Sequence, residues 1–367
     1  MFNSWEIAKR VADKDLTVNK HPNAELYIYN YSRECQFKMN WDEITLNCRG
    51  LILDGHCNIV ARPFGKFFNY EEHQAEHAQE KLPAIPNLPF KVFKKLDGSL
   101  GILYWLEEAP AIATRGSFAS EQAIHATDVL YEKHADKFKF LNKEWTYLFE
   151  IIYKQNRIVL DYGDKDDIIL LAVINNKTGE EYDIYDPRVN PGFEVVEECT
   201  EFRGKTFRQL QKMDISNEEG FVLVYKLPDG TCFRVKVKFG EYKRLHSLVT
   251  NVTTKKIWEN LMNGDSLEEL ISAIPDESFD WIRDEIKRLK TAYADTELFA
   301  LNTYDKLEKE LYGIPFKEHR KKFARAVFEN TETAKISHVL FAMLDGKDYS
   351  KIIWTLIKPE EKICGMR

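Results

Sequence analysis

The chain has 367 residues, 44% of them hydrophobic, and a formal net charge of −7 at pH 7. That length exceeds what one core usually serves, so two domains are expected; the negative charge argues against a protein that coats nucleic acid, while leaving room for a local basic cleft. No run of about eighteen apolar residues occurs and no basic N-terminal segment leads into an apolar one, so neither a membrane span nor secretion is expected. The six cysteines (Cys35, Cys48, Cys57, Cys199, Cys232, Cys364) are scattered without metal-ligand spacing and read as reduced thiols of a cytoplasmic protein.

From about Glu25 to Phe239 short apolar or alternating runs predict strands. They are Leu26 to Tyr31, Leu51 to Leu53, Gly101 to Trp105, Thr146 to Tyr153, Ile168 to Ile174, Gly220 to Tyr225 and Cys232 to Lys238. Helical pattern interrupts them at Glu121 to Lys137 and Thr206 to Met213. Beyond Tyr242 the period is helical throughout: Lys255 to Met262, Leu267 to Ala273, Phe279 to Tyr312, Phe316 to Phe328, Ile336 to Leu344 and Tyr349 to Ile357. The change of period predicts an α+β chain of two domains, residues 1–246 rich in antiparallel strands and residues 247–367 all-helical.

The candidate chemistry gathers around Lys95-Leu96-Asp97-Gly98-Ser99. An alternating stretch, Pro89 to Phe93, precedes it, which places Lys95 at a strand end, with Gly98 giving the backbone room for a turn. To attack phosphorus the amine must shed its proton, and neighbouring cations favour that; Lys94, Lys236 and Lys238 are the candidates. The competing reading is a solvated Lys-Lys pair on a loop. Glu150 lies in an otherwise apolar strand, where a carboxylate needs a metal, a ribose hydroxyl or a cation, the last being a plain structural salt bridge.

The alternation of Phe233 to Lys238 puts Arg234, Lys236 and Lys238 on one face, about 7 Å apart, a stripe fit for a triphosphate or simply a wet strand face. Glu219 to Val224 reads as its hairpin partner. Arg49, Lys66 and Arg115 each stand beside a glycine, where backbone and cation can approach a phosphate together.

Taken in order, Cys48-Arg49-Gly50, Ala61-Arg62-Pro63, Lys66-Phe67-Phe68-Asn69, Lys95 to Leu100, Glu150 with Asn156-Arg157-Ile158-Val159, Glu219-Gly220 and Lys236-Val237-Lys238 resemble the motifs of the RNA ligase 1 family, to which the tRNA-repairing ligase of T-even bacteriophage belongs. The resemblance covers residues 25 to 246. It implies an ATP-grasp-like nucleotidyltransferase domain with a small all-α domain behind it. It also implies three in-line displacements at phosphorus: Lys95 takes AMP from ATP, AMP passes to an RNA 5′-phosphate, and an RNA 3′-hydroxyl displaces it.

By the same resemblance Glu150 engages the AMP ribose or a metal, Lys236 and Lys238 the α-phosphate and pyrophosphate, and Arg49 and Lys66 the outer phosphates. Gly98 and Gly220 belong to the nucleotide site. Tyr31 and Tyr242 match family tyrosines, with a core role as the alternative. Arg115 stands where the phage enzyme has lysine, which keeps the charge but changes its geometry. Magnesium or manganese is implied as the metal and RNA, including tRNA, as the partner, beside a separate end-healing kinase or phosphatase.

In the helical part Lys317 to Arg325 forms a cationic cluster, either a substrate contact or a solvated helix face. Two other functions compete: another lysyl-nucleotide transferase (a DNA ligase or mRNA guanylyltransferase), and an inactive RNA-end-binding protein. The first usually appends a small β-barrel, which the helical pattern after Tyr242 disfavours. The second has no need of an activatable lysine.

Overall fold

The computed structural model describes residues 3–74, 81–156, 159–213, 215, 218–240, 242, 253–265 and 279–362. The chain divides into two compact units, residues 1–249 and 250–367. The first holds three sheets. Strands β1 (Leu16–Lys20), β2 (Leu26–Tyr31), β3 (Arg49–Asp54) and β4 (Ile59–Ala61) form an antiparallel meander in that order. Next along the chain come β5 (Phe68–Asn69), β6 (Lys91–Lys94), β7 (Ser99–Leu106), β8 (Ala109–Ala113), β9 (Trp145–Ile152), β10 (Asp167–Asn175), β11 (Glu181–Tyr182), β12 (Gly220–Lys226) and β13 (Cys232–Lys238). They make a five-stranded sheet ordered β11-β10-β9-β7-β8 and a four-stranded sheet ordered β5-β13-β12-β6. All pairings are antiparallel except β5 with β13.

Side-chain alternation along β9 explains how these layers assemble. Tyr147, Phe149 and Ile151 pack with Ala126, Val129 and Leu130 of helix Glu121–His134. Leu148 faces the other way, onto Ile28, Ile52 and Ala61 of the meander. Strand β9 is therefore covered on both faces, which is why it reads as a nearly unbroken apolar run. Glu150 shares the parity of Leu148, one step nearer the strand end, where its neighbour across the ladder is Leu100.

In the third sheet Phe221, Leu223, Val235 and Val237 build a separate core with Val92 and Leu210. The opposite face of β13 is not wet: Arg234, Lys236 and Lys238 are all buried, so the alternative of a plain solvated strand face does not hold.

Short helices α1 (Ser4–Ala12), α2 (Arg33–Lys38), α3 (Glu43–Asn47) and α4 (Tyr70–Gln74) and strands β1, β4, β5, β8 and β11 went unread in the sequence, being too short or too polar to show a period. Caps hold several of them. In α3 the Asp42 carboxylate accepts the Thr45 N–H at 2.8 Å and the Thr45 hydroxyl bonds back to the Asp42 N–H at 2.8 Å. Helix α5 (Glu121–His134) stops three residues earlier than its pattern predicts, continuing as a 3₁₀ turn over Ala135–Phe140, and α6 (Phe207–Gln211) is a single capped turn.

The second unit is helical in its described residues: α7 (Thr254–Asn263), α8 (Phe279–Glu310), α9 (Phe316–Glu329), α10 (Thr331–Lys335), α11 (Ser337–Leu344) and α12 (Ser350–Leu356). Its core joins Leu307, Phe323, Val327, Val339, Leu340 and Ile353. The helix expected at Leu267 to Ala273 lies outside the described residues, as do Arg157 and Cys364. No described helix is long and apolar enough to cross a membrane. The five described cysteines are free thiols, and burial pushes Cys35, Cys48 and Cys199 up to about 12.

Candidate active site

Residues 95–98 bridge β6, an edge of the third sheet, and β7 of the second. The Lys95 N–H continues the β6–β12 ladder by donating to the Gly220 carbonyl at 2.9 Å, so the lysine leaves the sheet on a fixed backbone. Strand parity separates it from its neighbour. The Lys94 ammonium meets Glu197 at 2.9 Å and Glu218 at 3.2 Å, and the Glu197 bond above all holds its pKa above the usual lysine value. Lys94 is thus not placed to discharge Lys95, which corrects the sequence reading.

Lys95 Nζ instead meets Oε2 of Glu219 at 2.8 Å. Glu219 is 2% exposed, and its Oε1 takes the Lys238 ammonium at 3.0 Å. One buried carboxylate therefore carries two lysines, from β13 and from the 95–98 loop. Gly220 beside it has φ +145°, and a Cβ there would stand 1.9 Å from the Val237 carbonyl, so no other residue fits.

Glu150 receives the Gly98 N–H at 2.8 Å on Oε1. A side chain on Gly98 would come within 2.5 Å of the Ile151 carbonyl and 3.1 Å of Glu150 Cγ, so glycine is what lets the loop lie against β9. Burial pushes the Glu150 carboxyl up to about 7, against the pull of Lys95 and with the repulsion of Glu219 added; the Gly98 N–H and Arg49 oppose the rise. Among the described residues no cation lies within ion-pair distance of Glu150, so it is not an ordinary structural salt bridge.

Asp97, 4% exposed, ties the loop down. Its Oδ2 accepts the N–H groups of Val159 and Leu160, each at 2.8 Å, and its Oδ1 accepts the Tyr242 hydroxyl at 2.8 Å. The Asp97 N–H donates to the Tyr162 oxygen at 2.8 Å. Ser99 adds a hydroxyl bond to Asn156 at 3.0 Å. Tyr242 is buried, with the Lys238 ammonium 5.2 Å from its ring centre.

The remaining cations pack on aromatic rings. Phe67 carries Arg49 at 5.5 Å and Lys236 at 5.1 Å. Lys66 is buried with Tyr31 at 5.1 Å and Phe68 at 5.2 Å. The exposed Arg115 lies over Tyr31, donating to its hydroxyl at 3.3 Å.

Arg234 departs from the expected triphosphate stripe. Its two terminal nitrogens grip the two oxygens of Glu181, whose side chain is 10% exposed, and its guanidinium stacks 4.1 Å from Phe64. Of the three cations on that face, Lys238 shares the Glu219 carboxylate with Lys95, Lys236 packs on Phe67 and Arg234 is part of the scaffold.

A family model described as RNA ligase matches residues 47–243, more than half of the chain. The chain belongs to the RNA ligase family. An RNA ligase of Rhodothermus phage RM378 is 26% identical to this ligase, covering 95% of the chain and 91% of the phage protein. A protein of Autographa californica nuclear polyhedrosis virus named as a bifunctional polynucleotide kinase/RNA ligase is 29% identical over 70% of the chain, which spans 39% of that longer protein.

Among solved structures, a Naegleria gruberi RNA ligase variant with ATP and Mn aligns over 43% of the ligase and 51% of its own chain, at 21% identity and TM-score 0.35. A DNA ligase from Aquifex aeolicus aligns over 94% of this chain and 88% of its own, at 15% identity and TM-score 0.47.

Two residues stand at the centre of the ligase site without having been singled out in the sequence, Asp97 and Glu219. Both lie inside the motifs above, but nothing in a sequence tells which carboxylate will face two lysines and which will hold two backbone N–H groups and a hydroxyl. In the second unit the cationic cluster is partly neutralised. Arg320 pairs with Asp345 and Arg325 with Glu329 at 2.8 Å. Lys321 and Lys322 are exposed, and the Lys317 side chain lies outside the described residues.

Proposed function

We propose that the ligase joins RNA 5′-phosphate and 3′-hydroxyl ends at the expense of ATP, with Lys95 carrying AMP. The observation that supports this most is the buried Glu219 carboxylate between Lys95 and Lys238, facing Glu150 across the Gly98 turn. Lys95 Nζ, once neutral, attacks the α-phosphorus and pyrophosphate leaves. A 5′-phosphate oxygen then attacks the AMP phosphorus, freeing the lysine. Last, a 3′-hydroxyl attacks the 5′-phosphorus, losing its proton as AMP departs. Each step is an in-line displacement in which positioning and charge neutralisation do most of the catalysis.

In this reading Lys238 and Lys236 neutralise the α-phosphate and departing pyrophosphate, and Arg49, Lys66 and Arg115 hold the outer phosphates. Glu150 holds the ribose or a metal, while Gly98, Gly220, Tyr31 and Tyr242 shape the pocket. No group of three or more His, Cys, Asp or Glu side chains gathers at metal-ligand spacing among the described residues. Magnesium keeps several waters and takes one or two carboxylates besides phosphate oxygens, so Glu150 with Glu219 fits it. When bound, such an ion supplies positive charge that competes with the two ammonium groups for those carboxylates and so favours the neutral amine.

The helical unit selects the RNA, tRNA being one candidate, and end healing belongs to a separate kinase and phosphatase, with the cytoplasm as the compartment. Intact mass of the protein after incubation with magnesium and either ATP or GTP, followed by peptide mapping, tests the central step. One AMP on Lys95 with ATP alone is expected, and none in Lys95→Ala. A GMP adduct would move the assignment to capping chemistry, label retained in Lys95→Ala would move the nucleophile, and no adduct would leave an RNA-end-binding protein.

A further inference from the structure

A trans peptide points its N–H and its carbonyl in opposite directions, and the peptide between Leu96 and Asp97 uses both. Its N–H donates to the Tyr162 hydroxyl oxygen at 2.8 Å. Its carbonyl, that of Leu96, accepts the Lys95 ammonium at 3.4 Å. We propose that Tyr162 is a positioning residue of the AMP-transfer step: by holding the Asp97 N–H it turns the Leu96 carbonyl onto the Lys95 nitrogen and so aims the lone pair that attacks phosphorus. The inference rests on the lysyl-nucleotide reading above.

A lysine ready to attack is a neutral amine, with two protons and one lone pair on nitrogen. Among the described residues Lys95 Nζ has two acceptors, Glu219 Oε2 at 2.8 Å and the Leu96 carbonyl. With one proton on each, the tetrahedral nitrogen has a single direction left, and the lone pair takes it. That pair forms the N–P bond as the bond from phosphorus to pyrophosphate breaks with its electrons. One nitrogen proton is then lost, with Glu219 Oε2 beside it to accept. Without the carbonyl the amine would pivot about its bond to Glu219, and attack in line with the leaving group depends on that angle.

Tyr162 suits the task in position and in charge. Asp97 locks the two segments together in return, its Oδ2 accepting the N–H groups of Val159 and Leu160 at 2.8 Å each. Beyond the tyrosine, Lys165 donates its N–H to the Tyr162 carbonyl at 3.4 Å and its ammonium to Glu194 at 2.6 Å. The hydroxyl accepts as a neutral group. Burial, with Asp97, Glu150 and Glu219 adding repulsion against the pull of the Asp97 N–H, holds its pKa above the usual tyrosine value, so it fixes the peptide without bringing another negative charge beside Glu150 and Glu219. A cavity of about 200 Å³ lies against both Asp97 and Tyr162, with Tyr153 and Asn156 among its other lining. Phenylalanine at 162 would therefore leave the Asp97 N–H to water, which satisfies it without fixing its direction.

The test compares the full-length protein with Tyr162→Phe, which loses the oxygen alone. Four quantities are read: hydrogen exchange of the Asp97 amide, the rate of single-turnover AMP transfer to the enzyme at saturating ATP, the half-saturating ATP concentration, and joining of pre-adenylylated RNA, in which Lys95 forms no bond. Exchange at Asp97 should quicken about tenfold, the worth of one hydrogen bond. AMP transfer at saturation should slow by about ten- to a hundredfold, with half-saturating ATP and the joining rate each within about twofold of wild type. Equal losses in AMP transfer and joining would make Tyr162 a merely structural residue and overturn the proposal. So would a loss confined to ATP affinity, or an unchanged transfer rate. A wild-type protein that forms no adduct at all would sink the lysyl-nucleotide reading, and this proposal with it.

Discussion

Replacing Glu150 by glutamine should make the ligand-free ligase more stable while damaging its chemistry. The Gly98 N–H donates to one Glu150 oxygen at 2.8 Å, and a glutamine carbonyl can accept the same bond, so the substitution removes charge and little else. Burial raises this carboxyl from an ordinary 4.5 to about 7. A carboxyl raised on folding binds its proton more tightly in the folded state, so its penalty is absent below about pH 4.5, grows as pH climbs through the window, and is complete above about pH 7. At roughly 1.4 kcal/mol per pH unit the full penalty is about 3 kcal/mol.

The stability gained by Glu150→Gln should therefore widen by about 2 kcal/mol between pH 5 and pH 8. Groups titrating alike in both proteins cancel in the difference. Native-state hydrogen exchange of the β7 and β9 amides is the suitable assay, because the two units need not unfold together and a global transition would mix them. A stability difference that stayed flat across this pH range, or a glutamine variant less stable at pH 8, would refute the picture of an uncompensated buried carboxylate. Lysyl-AMP formation should fall steeply in the same variant.

Arg234→Ala should lose about 3–5 kcal/mol of stability, because it strands the Glu181 carboxylate, only 10% exposed, and Lys236→Ala should slow AMP transfer; denaturation of the first and a single-turnover assay of the second check these. Gly220→Ala should fail to fold normally or should unpair the Lys95 backbone, given the 1.9 Å approach of a Cβ to the Val237 carbonyl, and circular dichroism with exchange at the Lys95 amide reads this directly. Asp97→Ala leaves the Val159 and Leu160 N–H groups and the Tyr242 hydroxyl without their acceptor, so it should cost more than Tyr242→Phe, which removes one bond worth about 1 kcal/mol; equal costs in urea titrations would contradict Asp97 as the anchor of the loop. Arg320→Ala should change stability by less than about 1 kcal/mol, since its pair with Asp345 is exposed.

How much of this was legible in the chain differs by element. Strands β2 and β13 were read to their ends, Leu26–Tyr31 and Cys232–Lys238, since their alternation or apolar run is a local signal. The two-residue β5 and β11 carry no period, and they exist because β13 and β10 offer them an edge. Lys95 and Glu150 could be named in advance from motif order and from a carboxylate set among apolar neighbours.

What each charge would face could not be named. Lys94 and Lys95 are adjacent in the chain, and parity at the end of β6 sends one to Glu197 and Glu218 and the other to Glu219. Arg234 and Lys238 sit on one face of one strand, yet the first meets Glu181 and the second Glu219, which are 38 residues apart in the chain. Sequence thus determined which residue types stand in which order, and with that the family and the two kinds of architecture. Only the packing of three sheets decided which carboxylate meets Lys95, Lys238 and Arg234, because an ion pair depends on a few ångströms of separation between strands that share no local signal.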